Sequence, residues 1–212
     1  MTSTPFTLLA ILLVAVPAGA AVTLHQSEEF DTFGGWSSGD PNPNPPVLFP
    51  YSGPSGDDSA LRLTANGSGG RGGKLVVYNQ STWTGDYTGA GITTIAADLR
   101  NLGASNLSIR LAFNGPGGWL ATDAVPLAAF AGWSPALFDV RQDMLIPVSG
   151  ATDASATMSA VTEIRILHAN TPGHQGSQVS GILLVDNIRA VPEPDVLISL
   201  VIVGVAFLKR KR

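Results

Sequence analysis

Leu107-Ser108-Ile109-Arg110-Leu111-Ala112-Phe113 alternates without interruption, with Leu107, Ile109, Leu111 and Phe113 on one side and Ser108, Arg110 and Ala112 on the other. Successive side chains of a strand point to opposite faces, so this is a β-strand with one face in a core. Upstream, residues 91–102 read as a long strand carrying Ile92, Ile95, Ala97 and Leu99 among polar neighbours. Residues 101–106, with Gly103, read as the hairpin connection between the two. Downstream, Asn114-Gly115-Pro116-Gly117-Gly118 is an obligatory turn. Residues 119–127 and 133–140 are two further strands, separated by a turn at Gly132.

The same rhythm extends to both sides. Residues 22–30 alternate loosely and suit a first strand, and Val47-Leu48-Phe49 a short one. Leu61 and Leu63 alternate with Arg62 and Thr64, residues 66–73 form a Gly-rich turn, and Leu75-Val76-Val77-Tyr78 is a buried-type strand. Residues 37–59 hold prolines at 41, 43, 45, 46, 50 and 54 and run as a Pro/Gly-rich surface loop. Residues 148–160 are small and polar, a loop or a short helix. Residues 161–169 resume as a strand through Ile164 and Ile166, residues 170–180 form a long Gly/Pro loop, and Ile182-Leu183-Leu184-Val185 begins a last strand that continues to residue 191. About eight to ten strands at intervals of about ten residues predict an all-β, antiparallel β-sandwich, immunoglobulin-like or jelly roll.

Composition narrows the function. The chain has 24 glycines and only 13% charged residues, a turn-rich profile. Between residues 21 and 190, eight Lys and Arg stand against fourteen Asp and Glu, a net charge of −6. That balance argues against nucleic acid. Cysteine is absent, which excludes thiol chemistry and a disulfide scaffold.

Both ends read as processing segments. Residues 1–20 have an apolar stretch from Phe6 to Val16 and a small-residue cleavage site at Ala18 and Ala20, the pattern of a cleaved signal peptide. Residues 191–212 carry Pro192, Glu193 and Pro194, then an apolar run at 196–208, then Lys209, Arg210, Lys211 and Arg212. The run is 13 residues long, short of the roughly 20 that usually span a bilayer. The terminal cations mark the cytoplasmic side of such a transmembrane segment. This tail closely resembles the PEP-CTERM sorting signal of Gram-negative bacteria. The resemblance implies processing by an exosortase, transient anchoring in the membrane and delivery to the cell surface or exopolysaccharide matrix. The domain at 21–190 would then be flanked by an N-terminal signal helix and a C-terminal transmembrane helix.

A second resemblance lies within the domain. Asn79-Gln80-Ser81-Thr82-Trp83-Thr84-Gly85-Asp86-Tyr87, the following strands and Leu184-Val185-Asp186-Asn187-Ile188 are similar to domains common in PEP-CTERM proteins. Those look like galactose-binding-like jelly rolls and carbohydrate-binding modules. The resemblance implies one structural Ca²⁺ where first and last strands meet, with Asp186 on the last strand and Glu28, Glu29 or Asp31 as the early partner.

For catalysis, the chain has three histidines and neither a Gly-x-Ser-x-Gly elbow, a His-Glu-x-x-His motif nor a P-loop. Glu28/Glu29, Asp57/Asp58 and Asp139/Asp143 are paired carboxylates in polar turns, where solvated surface explains them better than a glycosidase pair. The expectation is a protein that is not an enzyme. Sugar binding needs an exposed aromatic flanked by hydrogen-bonding side chains. Trp83 and Tyr87 with Asn79, Gln80 and Asp86 supply that chemistry in one polar segment, and Trp119 and Trp133 are alternatives. The function expected is non-catalytic binding of extracellular polysaccharide, or a purely structural matrix role without a ligand.

Overall fold

The structure is a computed structural model that describes residues 21–192. The expected signal peptide at 1–20, with Ala18 and Ala20, lies outside the described residues. So do Glu193, Pro194, the apolar segment at 196–208 and Lys209, Arg210, Lys211 and Arg212. Among the described residues no helix is long and apolar enough to cross a membrane.

Two antiparallel sheets face each other. The first contains β1 (Ser27–Glu28), β3 (Val47–Phe49), β4 (Ala60–Asn66), β6 (Thr94–Asn101), β10 (Ser134–Asp139) and β13 (Ser180–Val191). Its order is β10-β6-β13-β4-β3, with β1 on the far end of β13. The second contains β2 (Trp36–Ser37), β5 (Val76–Asn79), β7 (Leu107–Gly115), β8 (Gly118–Ala121), β9 (Val125–Leu127), β11 (Ile146–Pro147) and β12 (Glu163–His168), in the order β11-β8-β7-β12-β5-β2 with β9 also on β7. One short helix, α1 (Ala154–Met158), starts at Asp153, whose side chain accepts the N–H of Ala156.

The alternation places the core. Leu61, Leu63, Ile95, Leu99, Leu183 and Val185 of the first sheet meet Val77, Ile109, Leu111, Phe113, Ile164 and Ile166 of the second, all buried. Each such aliphatic or aromatic side chain contributes roughly 1.5–3 kcal/mol by leaving water. The expected antiparallel β-sandwich is therefore present, and most of its longer strands fall where the period-2 pattern put them.

The departures have local causes. Residues 101–106 do not form a hairpin: β6 and β7 belong to different sheets. Asn101 is buried and its Nδ2 donates to the carbonyls of Ser105 and Ala128, which holds the connection as an arch across the sandwich. Residues 119–127 are two strands. β8 pairs with residues 112–115 of β7, and β9 with residues 107–109. Between them the Thr122 hydroxyl accepts the N–H of Leu111, so the chain steps aside without orphaning a donor. Within residues 22–30 the strand is confined to Ser27 and Glu28, because His25 (φ 65°) and Phe30 (φ 53°) turn the backbone out of the extended region. The turn after β7 needs its glycines. A Cβ on Gly117 would sit 1.8 Å from the carbonyl oxygen of Asp153, and one on Gly118 would sit 2.2 Å from that of Gly150.

Candidate functional site

The sequence-predicted sugar platform is corrected by burial. Trp83 and Tyr87 are both 0% exposed, so neither can stack on a ligand. Buried Asn79 organises their segment. Its Oδ1 accepts the backbone N–H groups of Ser81, Thr82 and Trp83, and its Nδ2 donates to the Gly34 carbonyl and the Thr82 hydroxyl. The polar residues around Trp83 thus satisfy one another and fold the indole inward. Tyr87 packs edge-on against Phe113 and donates its hydroxyl to the Trp83 carbonyl at 2.9 Å, while burial pushes its pKa far up. Asp86 is exposed and accepts the N–H of Gly89, a local turn. Trp133 is half-buried and donates Nε1 to the Ser52 carbonyl on the first-sheet side.

Gln80 leads elsewhere. Its Nε2 donates to Glu163 Oε2 at 2.7 Å, at the margin of the outer face of the second sheet. On that face Tyr78 of β5, Arg165 of β12, Ala112 of β7 and Ala121 of β8 are directly opposite one another in register. The next row adds Glu163, Asn114 and Trp119. Arg165 is bonded to Glu163, donates Nη1 to the His174 carbonyl at 2.7 Å, and lies 4.5 Å over the ring of Trp119 and 6.0 Å from that of Tyr78. The imidazole of His174 stacks on Trp119 with ring centroids 4.5 Å apart. Burial, then the Arg165 charge, pushes the His174 pKa down against the pull of Glu163, which favours the neutral form of the stacked ring. Tyr78, Trp119, Arg165 and His174 are all half-buried.

Two depressions flank this row. One, of about 340 Å³, lies between the Gly-rich turn at 69–72, Ser38, Asn42, Lys74, Tyr78 and Arg165. The other, of about 420 Å³, lies under the loop carrying Thr171, His174 and Ser177. The first has a stiff wall. Gly72 has φ 82°, and a Cβ there would meet Pro43 Cγ at 2.6 Å, so the Gly-rich turn seats directly on the proline-rich loop. Arg71 Nη1 adds a bond to the Asp40 carbonyl. Small Ala112, with Leu167 and Ala169, is buried beneath Val76 and Trp119, which seats the aromatic and guanidinium groups on the sheet. Such a surface can stack the apolar face of a ring and hydrogen-bond its edge hydroxyls.

Sequence reasoning missed Tyr78, Arg165 and His174. The available signal was phase. Tyr78 alternates with core Val77, Arg165 with Ile164 and Ile166, and Trp119 with Leu120, so each points away from the core.

The outer face of the first sheet has a different character. Asp186 is 0% exposed; its Oδ1 accepts the N–H of Asn187, but its Oδ2 has no partner. Burial pushes its pKa up to about 7, against the Asn187 bond, with the charges of Asp58, Asp98 and Glu29 adding to the rise. Asn187, at φ 49° within a register shift of β13, donates Nδ2 to Asp98. Of the expected cation partners, Glu29 is among the charges that act on Asp186, while Glu28 is folded against Gly34 and accepts the N–H of Phe30. Asp31 is exposed and its charge acts on Glu28. Asp58 was not among the expected partners. Its Oδ1 and Asp186 Oδ2 lie 2.0 and 2.7 Å from one point beside Gly53, so they are within 4.7 Å of each other. Two oxygens on one Ca²⁺, each at 2.3–2.6 Å, can be that far apart. The donor chemistry and the orphaned oxygen fit a hard cation. Among the described residues, however, no group of three or more acidic, His or Cys side chains is already closed around a metal position.

No protein-family model matches the chain, and no curated protein sequence does. Solved structures do. A family 11 carbohydrate-binding module from Clostridium thermocellum, in complex with a β-1,3-1,4-mixed-linked tetrasaccharide, is 16% identical, with 81% of this chain and 98% of that one covered and a TM-score of 0.50. A carbohydrate-binding module specific for non-crystalline cellulose is 11% identical, with 84% and 99% covered and a TM-score of 0.50. An agarase is 14% identical at a TM-score of 0.52, with 79% of this chain but 25% of the enzyme covered. Identities of this size show a shared fold and nothing finer: the domain is an antiparallel sandwich of the kind found in carbohydrate-binding modules.

Proposed function

We propose that this protein is a non-catalytic polysaccharide-binding module that acts through the outer face of the second sheet. One observation carries the reading: Tyr78, Arg165, Trp119 and His174 stand together, half-exposed, on the outer side of the second sheet beside two clefts. Its fold is shared with modules whose names record oligosaccharide or cellulose binding. The absence of catalysis is part of the proposal. No carboxylate lines the first cleft, and nearby Glu163 is held by Arg165 and Gln80, whereas glycoside hydrolysis usually takes two carboxyl groups across one bond. The test is affinity electrophoresis of the full-length chain in mild detergent through gels containing different polysaccharides. Retardation by at least one, reduced in Trp119→Ala and Tyr78→Ala, is expected. Unretarded migration throughout a broad panel would point to a structural matrix role.

The sequence of the tail supports export, exosortase processing near Pro192, Glu193 and Pro194, and display at the cell surface or in the extracellular matrix. The last described strand ends at Val191, so little chain separates sandwich and tail. Mass spectrometry of the mature chain from a host with and without the exosortase checks this. Loss of the tail only in the first is expected.

A second reading concerns Asp186. Its buried, unpartnered Oδ2 beside Asp58 supports a structural Ca²⁺ there, with Asp98 and Glu29 adding negative potential. The ion would supply charge neutralisation and tie the 50–59 loop to β13. A melting temperature unchanged by EDTA would refute it.

A further inference from the structure

We infer that the ligand of the second-sheet face is an acidic polysaccharide, one bearing carboxylate or sulfate groups, and this rests on the glycan-binding reading above. The domain at 21–190 is acidic, with eight cations against fourteen carboxylates. Three of the eight cations meet at one cleft. Arg71, Lys74 and Arg165 all line the first cleft, beside Tyr78, and no acidic residue lines it. Arg110, on the same face, is buried and donates to the carbonyls of Ala169 and Thr122, so its charge is solvated by dipoles and balanced by no carboxylate bond. Among the described residues neither Arg71, Lys74 nor Arg110 forms an ion pair; Arg165 alone of the four does, with Glu163. Three of the domain's eight cations therefore line one cleft that holds no carboxylate, with Arg110 buried on the same sheet face.

The segments that carry the two outermost cations are held by backbone contacts. Lys74 is anchored through its bridge to Gln178, and Arg71 sits on the Gly-rich turn that packs against Pro43 and bonds to Asp40. A guanidinium held by a backbone carbonyl and an ammonium beside an aromatic ring suit a sugar with an anionic substituent: the ring stacks while the substituent takes charge-assisted hydrogen bonds. A neutral glucan would have to leave these cations unanswered or strip their water without return.

The test passes the full-length chain, in non-ionic detergent, over immobilised polygalacturonate, dextran sulfate, mixed-linkage β-glucan and agarose. The expected result is retention on one or both charged polymers, stronger than on the neutral ones and lost as salt rises, since exposed charges are screened within about 8 Å at physiological ionic strength. Which charged polymer retains it separates carboxylate from sulfate. Arg71→Ala with Lys74→Ala lowers retention roughly tenfold, while Lys74→Arg keeps it. Both positions lie outside the core, so the variants fold. Retention on the neutral polymers alone, or charged retention indifferent to these substitutions, overturns the inference and leaves the binding face standing if Trp119→Ala still abolishes it. Retention on none of the four overturns both.

Discussion

Two aromatic groups less than ten residues apart in sequence have opposite fates. Trp83 and Tyr87 sit among Asn, Gln, Ser, Thr and Asp, yet both are sealed in the core. Tyr78 sits in an apolar run with Leu75, Val76 and Val77, yet it is half-exposed, across the sheet from Arg165 and in reach of the Trp119 cluster. Local polarity predicts the reverse. What decides is where each hydrogen bond goes and which phase of the strand each residue occupies. Asn79 consumes the polar groups around Trp83 internally, and strand alternation sends Tyr78 outward.

That contrast can be broken by substitution. The largest effect is expected for Trp83→Ala, which empties a fully buried indole site and should lower unfolding free energy by about 3–5 kcal/mol in chemical denaturation, while the folded fraction keeps its affinity for polysaccharide. Next is the opposite kind of burial, at Asp186. Its carboxyl holds a proton to about pH 7 when folded, against roughly 3.9 in the unfolded chain. The unfolded state therefore binds fewer protons between those values, and stability should fall by up to about 4 kcal/mol as pH rises from 4 to 7, then level off. Measured in EDTA, Asp186→Asn should flatten that slope, and with Ca²⁺ added the wild type should lose it as well. A wild-type slope unaffected by either treatment would place the cost elsewhere.

Trp119→Ala should do the inverse of Trp83→Ala. Losing the stacking surface costs roughly tenfold in affinity, while a half-buried residue that packs only on the small outer cluster of Ala112, Leu167 and Ala169 costs less stability than Trp83. The smallest effect is Tyr87→Phe, which removes only the bond to the Trp83 carbonyl and should cost about 1 kcal/mol with binding untouched. If Tyr87→Phe weakened binding more than Trp119→Ala, the assignment of the two groups would be reversed.

The sandwich was legible because period-2 alternation reports burial directly, as at Leu107, Ile109, Leu111 and Phe113. Connectivity was less so. A Gly-bearing link such as 101–106 looks the same whether it turns back within a sheet or arches to the other one, and the Asn101 side chain that decides this is one residue among many. The candidate site was half legible: Trp119 and Gln80 were in view, but Tyr78, Arg165 and His174 converge from β5, β12 and the loop after it, a long-range register that no local window contains. The Asp186 environment was visible at one end only. Asp58 reaches it from a loop more than a hundred positions away, while Glu28, chosen for its place near the first strand, folds back on Gly34 instead.

The central claim is that a glycan covers the outer face of the second sheet and leaves the buried aromatics alone. Hydroxyl-radical footprinting of the full-length chain, with and without a polysaccharide that retards it, reads this residue by residue. Protection of Tyr78, Trp119 and His174 is predicted, with Trp133 unchanged and Trp83 and Tyr87 unreactive in both states. Protection centred on Trp133 and the first-sheet face, with Tyr78 and Trp119 as reactive as before, would contradict it.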